Sequence, residues 1–392
     1  MFSSSLLFAI GLAWLYGVYD NLISSTITNS GHLRIMSQRY SQQEMIYPIE
    51  EHMTRVDEIM RFIKEIAPKS KVYPSIKQRV LINNPKGPFH QLGVVVAVPM
   101  EYQRHLFKNS TCQIAVSQKS GVTVGSHIAQ QLQLKIQDEI VLLGKTVDGS
   151  FSPQKQSVQR IVHCDDYLIN HLVFVDISIG NYMIDVENAA TDIIIFDENE
   201  EIDLATFEGK LSTKVEIFDS RGKEASYFIE PWYERKPLSE ILPLSILMNG
   251  IFAILLTIMV VVSIINPMMM MIWERRQEFL LQRSMGFSKE QIVGILVIEN
   301  IFLTTCAIIP AVIIGYCYIN YGIHTLDISD SISGVSQNIT FSTKISPKWK
   351  APTLPIIVIC LGYTATFIGT IFPIFRVLQM IKKPYDILRS SS

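Results

Sequence analysis

Seven of the eight histidines, at 32, 52, 90, 105, 127, 163 and 171, fall in the first half of the chain among many Asp and Glu residues. Acid–base or metal chemistry needs such groups at defined spacings, such as His-x-x-x-His on one helical face or Cys-x-x-Cys in a turn. None occurs. The densest polar cluster, His163-Cys164-Asp165-Asp166, reads as a solvated turn. There is no G-x-x-x-x-G-K-[ST] loop to cradle nucleotide phosphates, no H-E-x-x-H and no G-x-S-x-G. The chain is therefore not expected to be an enzyme, to hold a metal or to bind a cofactor of its own. A formal net charge of −2 argues against a nucleic-acid partner, which calls for a basic footprint.

The chemistry-bearing residues with useful spacing are instead charged ones between two apolar runs, in "IWERRQEFLLQRSMGFSKEQI" (272–292). Glu274 to Met285 are mostly good helix formers. Glu274 and Glu278 are four apart and share a face, and Arg275, three before Glu278, is placed to pair with it. Arg283 has no such partner in the stretch and is left for another chain. Gly286 stands where a helix C-cap belongs. Ser288 with Gln291 three residues on has capping-box spacing and starts the next helix. The tip then presents Met285 and Phe287 beside Arg283. Two readings stay open: a charged hairpin that satisfies the positive-inside bias, or a helix whose tip docks in a partner's groove.

Four apolar segments position this stretch. Only 18% of residues are charged, against about 25% in an average globular protein, and 48% are hydrophobic. The expected fold is an α-helical membrane protein with one plus three transmembrane helices and a large mixed α/β extracytoplasmic domain between the first two. The boundaries are 1–27 for the first helix, 28–243 for the outer domain in two lobes, and 244–273 for a second helix. Residues 274–290 form the charged helix and turn, 291–320 a third helix with Pro310 as a kink, 321–353 a short outer loop, 354–376 the fourth helix and 377–392 a tail. The second helix is longer than a hydrocarbon core of about 30 Å requires. The first lacks a basic n-region and a small-x-small cleavage site, so a retained helix is expected rather than a cleaved signal peptide. Arg275, Arg276, Arg283 and Lys289, with Arg376, Lys382, Lys383 and Arg389 in the tail, put the turn and both termini in the cytoplasm.

In the outer region, "GHLRIM" (31–36), "LGVVVAVP" (92–99) and "TDIIIFD" (191–197) read as strands. Residues 53–67 place Met53, Val56, Ile59, Met60, Ile63 and Ile66 on one helical face. "DEIVLLGKTVDGSF" (138–151) reads as a strand followed by a turn at Asp148-Gly149. Cys112 and Cys164 lie where a disulfide is chemically possible, although sequence does not fix their geometry. Cys306, Cys317 and Cys360 fall in apolar runs and are expected to pack. Glu299 is the one acidic residue inside the third apolar run. It is a partner for an arginine or a dimer contact, or, in the slightly favoured reading, it snorkels to the interface.

The stretch "NPMMMMIWERRQEFLLQRSMGFSKEQIVGILVIEN" (266–300) resembles the signature of FtsX-like, MacB-type ABC-transporter permeases. The matching residues are Asn266, Met268, Met270, Glu274, Arg275, Glu278, Arg283, Met285, Gly286, Ile292 and Glu299. Within that superfamily, "SGHLRIMSQRY" (30–40) is similar to the entry to the outer domain in the lipoprotein-releasing (Lol-type) branch, and "VGSHIAQQLQLKIQDEIVLLGKTVDGS" (124–150) resembles an outer-domain motif in which a small lobe carries L-x-L-x-x-G-D. Leu280 and Gln137 stand where the family usually has Gly, and where the family generally carries a basic amphipathic stretch before the first helix, this sequence opens almost at the apolar run: either the start is short or that stretch is lost. The resemblance implies a permease subunit working by mechanotransmission. Two copies of a cytoplasmic ATPase would hold the ATP and Mg, and a second permease subunit, different more readily than identical, would pair with it. Its implied home is the bacterial inner membrane, with the large domain in the periplasm and lipoproteins as cargo. Glu274, Arg275, Glu278, Arg283, Met285, Gly286 and Phe287 would couple to the ATPase. Leu15, Val18, Leu22, Leu247, Ile251 and Phe252 would meet an acyl chain or the partner permease. The alternatives are a MacB-like or other efflux permease, and an FtsX-like regulator of a cell-wall hydrolase.

Overall fold

The computed structural model describes residues 2–116, 121–197, 202, 227–236, 238–322, 325–327, 344–350 and 352–382. Lys383 and Arg389 of the expected basic tail, and residues 323–324, 328–343 and 351 of the expected outer loop, lie outside them. The chain divides into two compact units: Met1–Tyr19, Leu242–Leu326 and Ile345–Ser392 in one, Asp20–Ile241 and Asp327–Lys344 in the other.

Helix α1 (Phe2–Ser30) leads into β1 (Leu33–Ser37). The second unit continues with α2 (Gln38–Gln42), α3 (Val56–Ile66), β2 (Lys71–Asn83), β3 (His90–Ala97) and α4 (Met100–Asn109). Next come β4 (Gln113–Val116), β5 (Val122–Gly125), α5 (Ser126–Gln131), β6 (Glu139–Lys145) and β7 (Phe151–His163). It ends with β8 (Leu172–Val175), α6 (Ile177–Ile184), β9 (Asp192–Phe196) and β10 (Tyr227–Pro231). Neighbouring strands run β10-β1-β9-β2, all antiparallel.

The second half of β2 enters a closed ring, β2-β3-β8-β5-β7-β6 and back to β2, in which β3–β8 and β5–β7 are parallel. Alternation fills this small barrel. Val80 and Ile82, Val122 and Val124, Ile140 and Leu142, and Val173 and Val175 sit two apart and share one buried cluster with Ile128 of α5 and Met183 of α6. On the four-stranded part, α3 buries Val56, Ile59, Phe62 and Ile63 against Ile35, Val72, Ile193 and Ile195. The opposite face of β9, Ile194 and Phe196, packs with Tyr102 and Leu106 of α4. A strand covered on both faces is uniformly apolar, which is why "DIIIF" shows no alternation.

Four charges cross the four-stranded part in alternating sign. Arg34 stands opposite Glu230 and donates to it at 2.7 Å. Asp192 lies 3.7 Å from Arg34 and accepts from Lys77 at 2.8 Å. Glu44 accepts from both Nη atoms of Arg34. Burial alone pushes the Glu44 carboxyl up, but the Arg34 guanidinium overrides it and holds the pKa at about 2.

Several expectations are corrected. The helix expected over 53–67 starts at Val56, because Met53 bridges Ala190 and Arg55 has a left-handed φ of 56°. The 163–166 cluster is solvated only at its start, where His163 is exposed. Cys164 is buried and disulfide-bonded to Cys112, and Asp165 pairs with Lys344 at 2.8 Å. Asp166, also buried, accepts from Ser25 at 2.6 Å and from Asn29; burial raises its pKa. Cys306, Cys317 and Cys360 are exposed instead of packed. The Asp148-Gly149 turn forms as expected, with Gly149 at φ +87° between β6 and β7.

The other unit contains α7 (Leu238–Glu274) from its second turn onward, α8 (Arg276–Ser284), α9 (Lys289–Tyr321) and α10 (Thr353–Lys382). Among the described residues, four helices, α1, α7, α9 and α10, are long and apolar enough to cross a membrane. At about 1.5 Å per residue, the 37 residues of α7 reach about 55 Å, some two-fifths of it beyond a hydrocarbon core. Toward its start, α1 buries Phe8, Ala9, Leu12 and Ala13 against Ile319 of α9 and Leu354 and Val358 of α10.

Two outcomes follow from the α/β unit. Gln137 holds a φ of +73°, a region that suits glycine, and the position is one where glycine was expected. Gln137→Gly should raise stability by up to about 1 kcal/mol, seen as a higher melting temperature of the purified chain; a lower one would show that the left-handed backbone carries no cost. For Glu44, a depressed carboxylate pKa means stabilisation fully present above the ordinary 4.5 and lost as pH falls toward 2. The melting-temperature gap between wild type and Glu44→Gln should be widest above pH 5 and narrow toward pH 3; a constant gap would rule this out.

Candidate coupling site

The 272–292 stretch folds as an elbow and a cap. Helix α7 ends at Glu274, Arg275 leaves helical geometry at φ −93° and ψ 12°, and α8 restarts at Arg276. Glu274 and Glu278 therefore belong to different helices, a correction to the single helix read from their spacing. Phe279 secures the elbow. It is buried with Met268 and Ile272 of α7, Ile292 and Leu296 of α9, and Val377 of α10.

Arg275 organises the charges. Its Nε donates to Glu278 Oε2 at 2.9 Å and its Nη1 to both carboxylate oxygens of Glu299 at 2.9 and 3.0 Å. The guanidinium also lies over the Phe279 ring, 5.8 Å from its centroid. The expected Arg275–Glu278 pair forms. Glu299 takes the arginine partner, not the snorkelling role that was slightly favoured. One side chain thus ties the end of α7 to α8 and α9.

The far end of α8 closes with two reciprocal backbone bonds, Gly286 N–H to Arg283 C=O and Phe287 N–H to Gln282 C=O, both 3.2 Å. This is the Schellman arrangement, and Gly286 at φ +98° makes it possible. Arg283 is not free, as its spacing suggested. Its Nη1 donates to the Phe287 carbonyl at 2.7 Å and braces the turn. Ser288 then caps α9 in a complete capping box with Gln291. Met285 is 69% and Phe287 39% exposed at the tip of the turn.

A second set of contacts was missed from sequence. Asn300 bonds Thr370, Thr304 bonds Thr366 at 3.2 Å, and Thr305 bonds Tyr363 at 2.7 Å. These join α9 to α10. The four-residue spacings of Asn300 with Thr304 and Thr366 with Thr370 were the available signal. Of the other candidates, Leu15 packs in the α1–α9–α10 contact and Leu22 is half-buried in the α/β unit. Val18, Leu247, Ile251 and Phe252 are exposed.

Residues 250–381, about a third of the chain, match the family described as FtsX-like permease C-terminal. The match takes in most of α7, the whole elbow and turn, α9 and nearly all of α10. No curated protein sequence matches the chain. Among solved structures, the periplasmic region of MacB from Actinobacillus actinomycetemcomitans aligns over 53% of this chain and 92% of its own, at 10% identity and a TM-score of 0.36. The extracellular domain of the noncanonic ABC-type transporter YknZ from Gram-positive bacteria aligns over 50% of this chain and 98% of its own, at 8% identity and a TM-score of 0.29. Both likenesses are distant.

Because removal of one partner strands the other, Arg275→Gln should lower the melting temperature more than Arg275→Gln combined with Glu299→Gln. Thermal unfolding of the two variants checks this; strictly additive losses would show the pair to be uncoupled.

Proposed function

We propose that the chain is the permease subunit of an FtsX/MacB-type ABC transporter (type VII), driven by two copies of a separate cytoplasmic ATPase that bind ATP and Mg. The observation that carries this reading is the tip of α8, where Met285 and Phe287 stand exposed on a turn closed by its own backbone bonds and braced by Arg283. Exposed apolar groups on a rigid, capped helix end suit insertion into a groove on a partner. The family match over residues 250–381 supports it.

The mechanism follows from the elbow. Movement of the ATPases would displace α8, and Arg275 with Phe279 would pass that displacement to α7 and α9 instead of letting the elbow flex. The length and continuity of α7 suit it to act as a rod, the essence of mechanotransmission. In this reading both termini and the turn are cytoplasmic, the α/β unit is periplasmic, and the chain sits in a bacterial inner membrane beside a second, different permease.

The cargo we favour is a lipoprotein passed toward the outer membrane, a reading supported by the resemblance of residues 30–40 to the lipoprotein-releasing branch. Val18, Leu247, Ile251 and Phe252 offer apolar surface for an acyl chain or for the partner permease.

The test is Met285→Ser with Phe287→Ser in a tagged full-length chain purified gently from its membranes. Wild type should bring down an ATPase, a second permease and acylated protein, and release a labelled lipoprotein when ATP is added. The variant should lose the ATPase, and with it release, while melting within a few degrees of wild type. An ATPase retained in full by the variant would refute the docking role. A wild-type complex with an ATPase but without acylated protein would refute the cargo.

A further inference from the structure

A cleft of about 720 Å³ in the α/β unit plays no part in the coupling described above. Arg104 and Lys108, four apart on α4, line one side of it. Arg160 enters from β7, opposite Val116 of β4. Lys344 and Asp165 complete the charged lining, with Ile114 and Phe107 as its apolar wall.

Asp165 is the one carboxylate in the lining and already accepts from Lys344 at 2.8 Å. Among the described residues, Arg104, Lys108 and Arg160 make no ion pair. Three cations therefore converge without a protein counter-charge, on a chain whose net charge is −2. Arg160 is half-buried and held in place, its Nη2 donating to Gln103 Oε1 at 3.2 Å and touching Met100 Sδ at 3.3 Å. Like charges brought together with partial loss of water destabilise the empty cleft, and a bound anion would remove that cost. The wall is also fixed. Cys112 lines the cleft, and its disulfide to Cys164 joins the residue before β4 to the residue after β7.

We infer that this cleft binds a phosphate-bearing ligand, with Arg160 and Arg104 holding the phosphate oxygens and Lys108 adding charge at the mouth. A carboxylate would bring one negative charge to three cations, whereas a phosphate monoester brings about 1.5 to 2 and three acceptor oxygens. Guanidinium forks match such oxygens in pairs. Ile114, 41% exposed beside them, leaves room for an apolar substituent on the phosphate. A soluble phosphate monoester and the monoester headgroup of phosphatidic acid share this chemistry.

The test uses the full-length chain in maltoside detergent freed of phospholipid, titrated calorimetrically with glycerol phosphate and with dihexanoyl phosphatidic acid below its micelle concentration. Arg160→Gln and the double variant Arg104→Gln/Lys108→Gln are titrated alongside; the latter changes only exposed side chains and so keeps its fold. The expected result is binding by wild type that weakens with salt, and a loss of about tenfold or more in affinity in both variants. Glycerol phosphate bound as tightly as the lipid would identify a soluble phosphate as the ligand. Binding of the lipid alone would identify a headgroup. No binding of either probe to wild type at millimolar concentration, or equal binding by the double variant, would overturn the inference, as would binding of an acidic peptide in preference to both.

Discussion

The α/β unit depends on the register of four adjacent strands, and alternating charge fixes that register. Glu230, Arg34, Asp192 and Lys77 follow one another across β10, β1, β9 and β2. All are largely buried, so each would cost several kcal/mol if left without its neighbour. A slip by one residue would send these side chains to the opposite face of the sheet and break every pair. Apolar alternation alone does not give such security here, because the central strand β9 is apolar on both faces and would accept a shifted partner. Correct pairing of β1 with β10 has a further effect. The segments continuous with α1 and α7 leave the sheet from neighbouring strands.

The helical turn solves a different problem with similar means. An end of a helix leaves backbone groups unsatisfied, and here they are met by Gly286, by the Arg283 side chain and by the Ser288–Gln291 box. Arg275 is used more heavily, serving Glu278 and Glu299 at once. Within the apolar helices, the Asn300–Thr370 and Thr304–Thr366 bonds leave few polar groups facing an apolar surround. The outcome is a turn closed by its own hydrogen bonds with an exposed apolar tip.

Much of this was legible in the sequence where one local rule decides. The apolar runs gave the four long helices, the Ser288–Gln291 spacing gave the capping box, and Asp148-Gly149 gave its turn. Reading stopped where a distant residue decides. Arg283 lacked a carboxylate nearby, but its partner proved to be a backbone carbonyl that only the folded turn presents. The 163–166 cluster looked solvated because Ser25, Asn29, Cys112 and Lys344, which occupy it, are far away in sequence. Glu299 faced two readings until the elbow at Arg275 placed a guanidinium beside it. Gln137 was noticed as an unusual residue for its position, yet the reason, a left-handed backbone, came only with the structure.

The pairing of β1 with β10 also sets a timetable. A ribosome makes β1 early, but the strand that covers its outer edge is not synthesised until residue 227, nearly two hundred residues later. Until then β1 offers an open edge to any strand that meets it, and Arg34 waits for Glu230. Helix α7 emerges only a few residues after β10. The strand that closes β1 and the second long apolar helix therefore reach the folding machinery almost together, and β1 keeps its open edge until the chain is about to enter that helix.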